Sequence, residues 1–140
     1  MKIVLDTNVL VSGLLNPLGA PGQIVRMVSS GTIHLCCDAR ILSEYRQVLG
    51  REKFAFDAEG VSSLLQEIEA NACWASPRPL PAPLPDLEDE PFLEAALTGE
   101  ARCLITGNLK HYPSRLREGA VILSPSEFLE IFRRELARPR

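Results

Sequence analysis

The stretch KIVLDTNVL (residues 2–10) decides the reading of this chain. Residues 2–5 form an apolar, β-branched run that suits a fully buried strand. The run stops on Asp6, followed by Thr7 and Asn8, and a second apolar run then begins. Thr7 is of the type that caps a helix, and the following spacing predicts one from Asn8 to about Leu15. A carboxylate closing a buried strand, just before a helix, points to the functional edge of a parallel sheet.

The same alternation continues downstream. NPLGAPG (16–22) breaks the first helix, and a second is expected over roughly 23–30, with Ile24, Val25 and Val28 on one side. TIHLCC (32–37) reads as a second buried strand. Asp38 then caps a third helix over about 39–50, and a fourth is expected over about 57–71. ACWA (72–75) reads as a short edge strand. SPRPLPAPLPDLED (76–89) holds five of the eleven prolines, so it is neither regular helix nor central strand. It reads as an extended connector delivering a fifth helix over about 90–99. RCLIT (102–106) and GAVILSP (119–125) are further strands, and a closing helix follows over 126–136. Strands alternating with helices predict an α/β fold, mainly parallel, with helices on both faces. In such folds ligands bind at the carboxyl ends of the strands.

A chain of 140 residues fits a single domain, 1–140, with a core that needs no staple. The net charge of −3 counts against a bulk nucleic-acid binder but leaves room for a local basic groove. The opening residues lack the long apolar region and cleavage site of a secretory signal. No apolar stretch approaches the ~20 residues that span a bilayer. The expectation is a cytoplasmic protein with no membrane contact, in which Cys36, Cys37, Cys73 and Cys103 are reduced thiols.

Acids recur wherever a strand or helix meets this edge. Asp6 ends the first strand. Asp38 ends the second, where an N-cap explains it. Glu44 lies three residues after Ile41 and four before Val48, so it borders the buried stripe of the third helix. Asp86, Glu88, Asp89 and Glu90 crowd the start of the fifth helix, more acids than the helix dipole calls for. The third long strand ends on Thr106, followed by Gly107 and Asn108, repeating the logic of Asp6-Thr7-Asn8. Two carboxylates ~4 Å apart repel by roughly 4 kcal/mol at an effective dielectric of 20. A convergent set therefore calls for protons or a cation. Oxygen-only donors suit Mg²⁺ or Mn²⁺. His34 and His111 are far apart in sequence, which argues against zinc. The chain holds no GxSxG, no phosphate-binding P-loop and no GxGxxG. Divalent ions among carboxylates perform phosphodiester hydrolysis. A phosphoacceptor receiver domain also sets acids and Mg²⁺ at strand ends, but there the first strand closes on an adjacent acidic pair, and here on one Asp.

Four segments in order, VLDTNVLVSGLL (4–15), ILSEYRQVL (41–49), DLEDEPFLEAAL (86–97) and CLITGNLKHYP (103–113), resemble the PIN-domain family. The resemblance is in particular to the PIN toxin components of bacterial toxin–antitoxin pairs, and it spans nearly the whole chain. It implies a three-layer α/β/α domain and a Mg²⁺- or Mn²⁺-dependent endoribonuclease. It makes Asp6 the first metal ligand and Glu44 the second. The third falls at Asp89, the better cap by type, or at Glu90, which fits the spacing equally. Asp86 becomes an outlying acid. Thr7, Asn8 and Thr106 orient carboxylates and phosphate. Where the family often has a fourth Asp, this chain has Asn108, which lowers the site's charge by one and weakens the case for a second ion.

Lys110, His111 and Arg115 follow the Thr106-Gly107-Asn108 turn and are candidate RNA contacts. Arg40 and Arg46 flank Glu44 at different helical angles, so only one can face the site. The basic tail RRELARPR (133–140) is a further candidate. The resemblance also implies an RNA substrate, a separately encoded antitoxin partner and a homodimer. The alternative is a catalytically weak or inactive module binding RNA or protein, suggested by Asn108 and the acidic balance.

Overall fold

β1 (Lys2–Leu5) is central because Ile3, Val4 and Leu5 are all inaccessible to solvent, the pattern of a strand covered on both faces. In this computed structural model, which describes residues 1–137, β1 pairs in parallel with β2 (His34–Cys37) on one side and β4 (Leu104–Ile105) on the other. β3 (Cys73–Trp74) lies outside β2, and β5 (Ile122–Leu123) outside β4, both parallel. The order is β3-β2-β1-β4-β5. ACWA is thus the edge strand its shortness predicts, with Trp74 exposed. The strands anticipated over 32–37, 102–106 and 119–125 contract to their most buried cores.

The helices sort onto two faces for a topological reason. α1 (Thr7–Leu15) and α2 (Ala20–Ser29) join β1 to β2, and α3 (Ala39–Leu49) and α4 (Ala58–Asn71) join β2 to β3. Both crossovers step outward in the same direction. The next connection runs from β3 through α5 (Glu90–Thr98) back past two strands to β4. Right-handed crossovers therefore place α5 on the opposite face. α5 accordingly packs on β1, β2 and β4, while α2 packs on α1, α4 and the closing α6 (Pro125–Ala137). The result is the expected three-layer α/β sandwich. The reversal of direction falls between β1 and β4, where open sheets of this kind form a crevice.

Two local expectations are corrected. Thr7 is the first residue of α1 rather than its cap, and Asp6 occupies the cap position without a capping side-chain bond. The Thr7 hydroxyl donates instead to Glu44, a charged acceptor that outcompetes a backbone amide. α2 begins at Ala20, three residues early, with Pro21 in its first turn, where proline is preorganised for a helix. The close packing of α1 on α2 needs Gly13: a Cβ there would stand 2.6 Å from Val25 Cγ2 and 2.8 Å from the Pro21 carbonyl oxygen.

Asp38 does cap α3, its Oδ1 accepting from the Ile41 amide at 3.1 Å. The proline connector is held by side chains from the start of α5. Glu90 Oε2 accepts from the Leu84 amide at 2.9 Å, and Glu94 Oε1 from the Arg78 amide at 3.0 Å. It ends in a 3₁₀ turn, Leu87–Asp89, capped by Asp86. All four cysteines are free thiols. Burial pushes Cys37 and Cys103 up to about 12 and Cys36 to about 11, so they stay protonated and unreactive. Among the described residues no helix is long and apolar enough to cross a membrane. The last three residues of the basic tail lie outside the described residues.

Candidate active site

Asp6 stands at the carboxyl end of β1, 5% exposed. Its Oδ2 accepts two hydrogen bonds, from the Thr106 hydroxyl at 2.9 Å and the Tyr112 hydroxyl at 3.1 Å. The Thr106 hydroxyl in turn accepts from the Asn108 amide at 3.1 Å, and Asn8 Oδ1 accepts from the Gly107 amide at 3.1 Å. The two strand-end turns are therefore stitched to each other across β1 and β4. Glu44 projects from α3, half-buried, and is held by Thr7. Asp89 closes the 3₁₀ turn ahead of α5 and is 8% exposed.

These three carboxylates sense one another. Burial raises the pKa of each, and the negative charge of Asp6 adds to the rise at both Glu44 and Asp89. Asp89 is pushed up to about 6. The bonds from Thr106 and Tyr112 oppose the effect at Asp6, and that from Thr7 opposes it at Glu44. Asp89 Oδ2 is buried and accepts no hydrogen bond, although His111 Nδ1 lies 3.1 Å away. The imidazole is close but misaligned for a hydrogen bond, so proximity does not satisfy that oxygen.

A buried, unsatisfied carboxylate oxygen beside two other acids of raised pKa fits a hard divalent cation. As the side chains stand, they are charge-coupled neighbours and not a closed cage: among the described residues no group of three His, Cys, Asp or Glu is close enough to enclose an ion. The fit is one of donor chemistry, since all three side chains offer the oxygen atoms that Mg²⁺ and Mn²⁺ prefer.

The other predicted residues are distributed as follows. Glu90 binds the Leu84 amide. Asp86 caps the 3₁₀ turn, and its charge contributes to raising Asp89. Asn108 is half-buried beside Thr106. Lys110 and Arg115 are exposed, and His111 lies against Asp89. Of the two arginines flanking Glu44, Arg40 lines a groove of about 760 Å³ between α1 and α3, beside Thr7 and Glu44. Arg46 lines a separate cavity between α3 and α4.

Two residues escaped the sequence reading. Tyr112 is fully buried although it sits in a loop, and no periodicity flags a loop tyrosine. Glu94 is buried and accepts from both the Arg40 guanidinium and the Arg78 amide. An acid inside the apolar run FLEAAL was a signal that could have found it.

An all-parallel sheet with Asp6 at the carboxyl end of its central strand, and Glu44 and Asp89 brought near it from α3 and the turn ahead of α5, defines an α/β protein with an acidic sheet edge. A family model described as PIN domain matches residues 2–110, and the chain belongs to that family. A comparison with curated proteins gives no match. PIN domains are generally nucleases, and they usually use divalent metal ions.

Proposed function

We propose that this protein is a Mg²⁺- or Mn²⁺-dependent endoribonuclease, the toxin of a toxin–antitoxin pair. The carrying observation is the convergence of Asp6, Glu44 and Asp89, with raised pKa values and one unsatisfied buried oxygen on Asp89. These three would hold the ion, with the Asn108 carbonyl as a neutral oxygen donor nearby. When bound, such an ion supplies an activated water and offsets charge developing at phosphorus. The protein's own part is positional. Thr106 and Tyr112 hold Asp6 through its Oδ2 and so fix the orientation of the carboxylate. Thr7 fixes Glu44. Lys110 and Arg115 supply cations, and His111 a ring nitrogen, for the RNA backbone beyond the Asn108 turn. The toxin role, an antitoxin partner and a homodimer rest on the four-segment resemblance.

The test is cleavage of end-labelled single-stranded RNA in Mg²⁺, Mn²⁺ and EDTA, with Asp6→Asn as control. Metal-dependent cuts absent from the variant support the reading. Cuts that persist in Asp6→Asn refute the site. Asn108 favours a second reading, a module that binds RNA without cutting it. Under that reading the wild-type chain is silent and Asn108→Asp gains metal-dependent cleavage.

A further inference from the structure

Two arginines line the groove between α1 and α3, and their charges are not equally available. Arg40 is committed: its guanidinium donates to Asp38 Oδ2 at 2.7 Å and to Glu94 Oε1 at 3.2 Å. Arg51 forms no ion pair among the described residues and is exposed. Arg51 lines the same groove as Thr7 and Glu44, so its guanidinium shares that surface with the acidic pole.

Phe54 also lines this groove. Its ring is fixed by Phe56, near-parallel at 5.4 Å between centroids, and Lys53 Nζ stands 5.1 Å from its centroid. A half-buried phenyl beside unpaired cations has no role in the core. It matches the aromatic-plus-cation construction by which proteins hold unpaired nucleic acid, since only an unpaired base has a free π-face. Glu88, from the turn ahead of α5, also lines the groove, and its charge repels phosphate and so favours a backbone lying on Arg51.

We propose that this end of the groove is the track for an unpaired RNA strand, with Arg51 on a phosphate and Phe54 as the surface on which a base lies. The assignment rests on the nuclease reading above and adds to it the residues that hold the strand beside the acids. It differs from the Lys110–Arg115 side, whose residues do not line this groove.

The test is fluorescence anisotropy with a labelled twelve-nucleotide oligouridine in Mg²⁺, in the Asp6→Asn background so that the probe stays intact. Arg51→Gln is expected to weaken binding and reduce the slope of log Kd against log salt by about 0.7, one phosphate contact on a single strand. Phe54→Ala is expected to weaken it about five- to tenfold with no change of slope. Phe54→Trp, which keeps the fold, should bind at least as well and show indole quenching by the oligonucleotide. Arg46→Gln, off the groove, should bind like the parent. Duplex RNA should compete at least tenfold worse than single strand. Unchanged slope in Arg51→Gln with unchanged affinity in Phe54→Ala, equal competition by duplex, or no binding by the parent overturns the track. Wild-type cleavage separates the two ideas. Binding lost in both variants without any cleavage removes the nuclease and keeps the track; cleavage with unaltered KM in both removes the track and keeps the nuclease.

Discussion

The Tyr112 hydroxyl lies 3.1 Å from Asp6 Oδ2 across 106 residues of chain, in a position fully closed to solvent. Together with Thr106, it saturates one oxygen of the carboxylate and so sets the direction of the other. Tyr112→Phe keeps the ring volume and removes only this bond. We expect metal-dependent cleavage to fall about tenfold, the scale of losing a partner that orients a metal-binding group. We expect stability to fall by about 1–2 kcal/mol. Steady-state kinetics alongside urea unfolding separates the two effects, and an unaltered kcat would leave Tyr112 a packing residue only.

Asp89 and Glu90 are adjacent in sequence and opposite in assignment. Asp89→Asn should abolish metal-dependent cleavage. Glu90→Gln should retain most of it, because an amide oxygen can still accept from the Leu84 amide. Parallel assays of the two variants decide the matter, and the reverse pattern would make Glu90 the third ligand.

The same carboxylates set a pH dependence in metal-free protein. Asp89 has a folded pKa of about 6, raised by burial and by Asp6, against an ordinary 3.8. The folded state therefore binds the proton more tightly than the unfolded chain does. Its contribution to stability is full below the unfolded value and is lost as pH rises through the folded one. With EDTA present, Tm should drop between pH 4 and pH 6.5 from this group. Asp89→Asn should flatten that drop and raise Tm at pH 7 by about 3 °C, the scale of ~1 kcal/mol for a chain of this length. Adding Mg²⁺ at pH 7 should stabilise the wild-type chain and not the variant. Differential scanning calorimetry across pH reads all three outcomes.

Glu94 ties α5 to both Arg40 and the connector. Glu94→Ala leaves the Arg78 amide and half of the Arg40 fork without an acceptor. Because Arg40 is 43% exposed on its side chain, water compensates part of the loss, and a cost of about 2 kcal/mol is expected. Limited proteolysis should then open the segment 76–88 before any other. Cleavage elsewhere first would show that the connector is held by its own packing at Leu84.

Gly13→Ala probes the α1–α2 contact. The added methyl meets a backbone carbonyl at 2.8 Å and a Val25 methyl at 2.6 Å. Overpacking of this kind costs about 1–3 kcal/mol, despite alanine's better helix propensity. A chemical-denaturation midpoint above that of wild type would contradict the packing described.

Much of this molecule was legible in one dimension. The apolar runs 2–5 and 32–37, each followed by an Asp, and 102–106, closed by Thr106, name the sheet and its functional edge, because a strand buried on both faces shows no alternation. Asp38 precedes a helix as its cap and accepts from the Ile41 amide. Asp6 and Glu44 stood out for the same local reason, acids set against apolar neighbours. The three-dimensional fold decided what depends on distance through space. It turned Thr7 from a cap into the partner of Glu44, and it separated Asp89 from Glu90 by sending one inward and the other to the connector. It enclosed Tyr112 behind Asp6, and it committed Arg40 to two acids while leaving Arg51 without an ion pair among the described residues. Sequence spacing determines which face of an element a side chain shares, since backbone periodicity is local. Which oxygen it meets there depends on the crossover that reverses between β1 and β4, and no local pattern encodes that reversal.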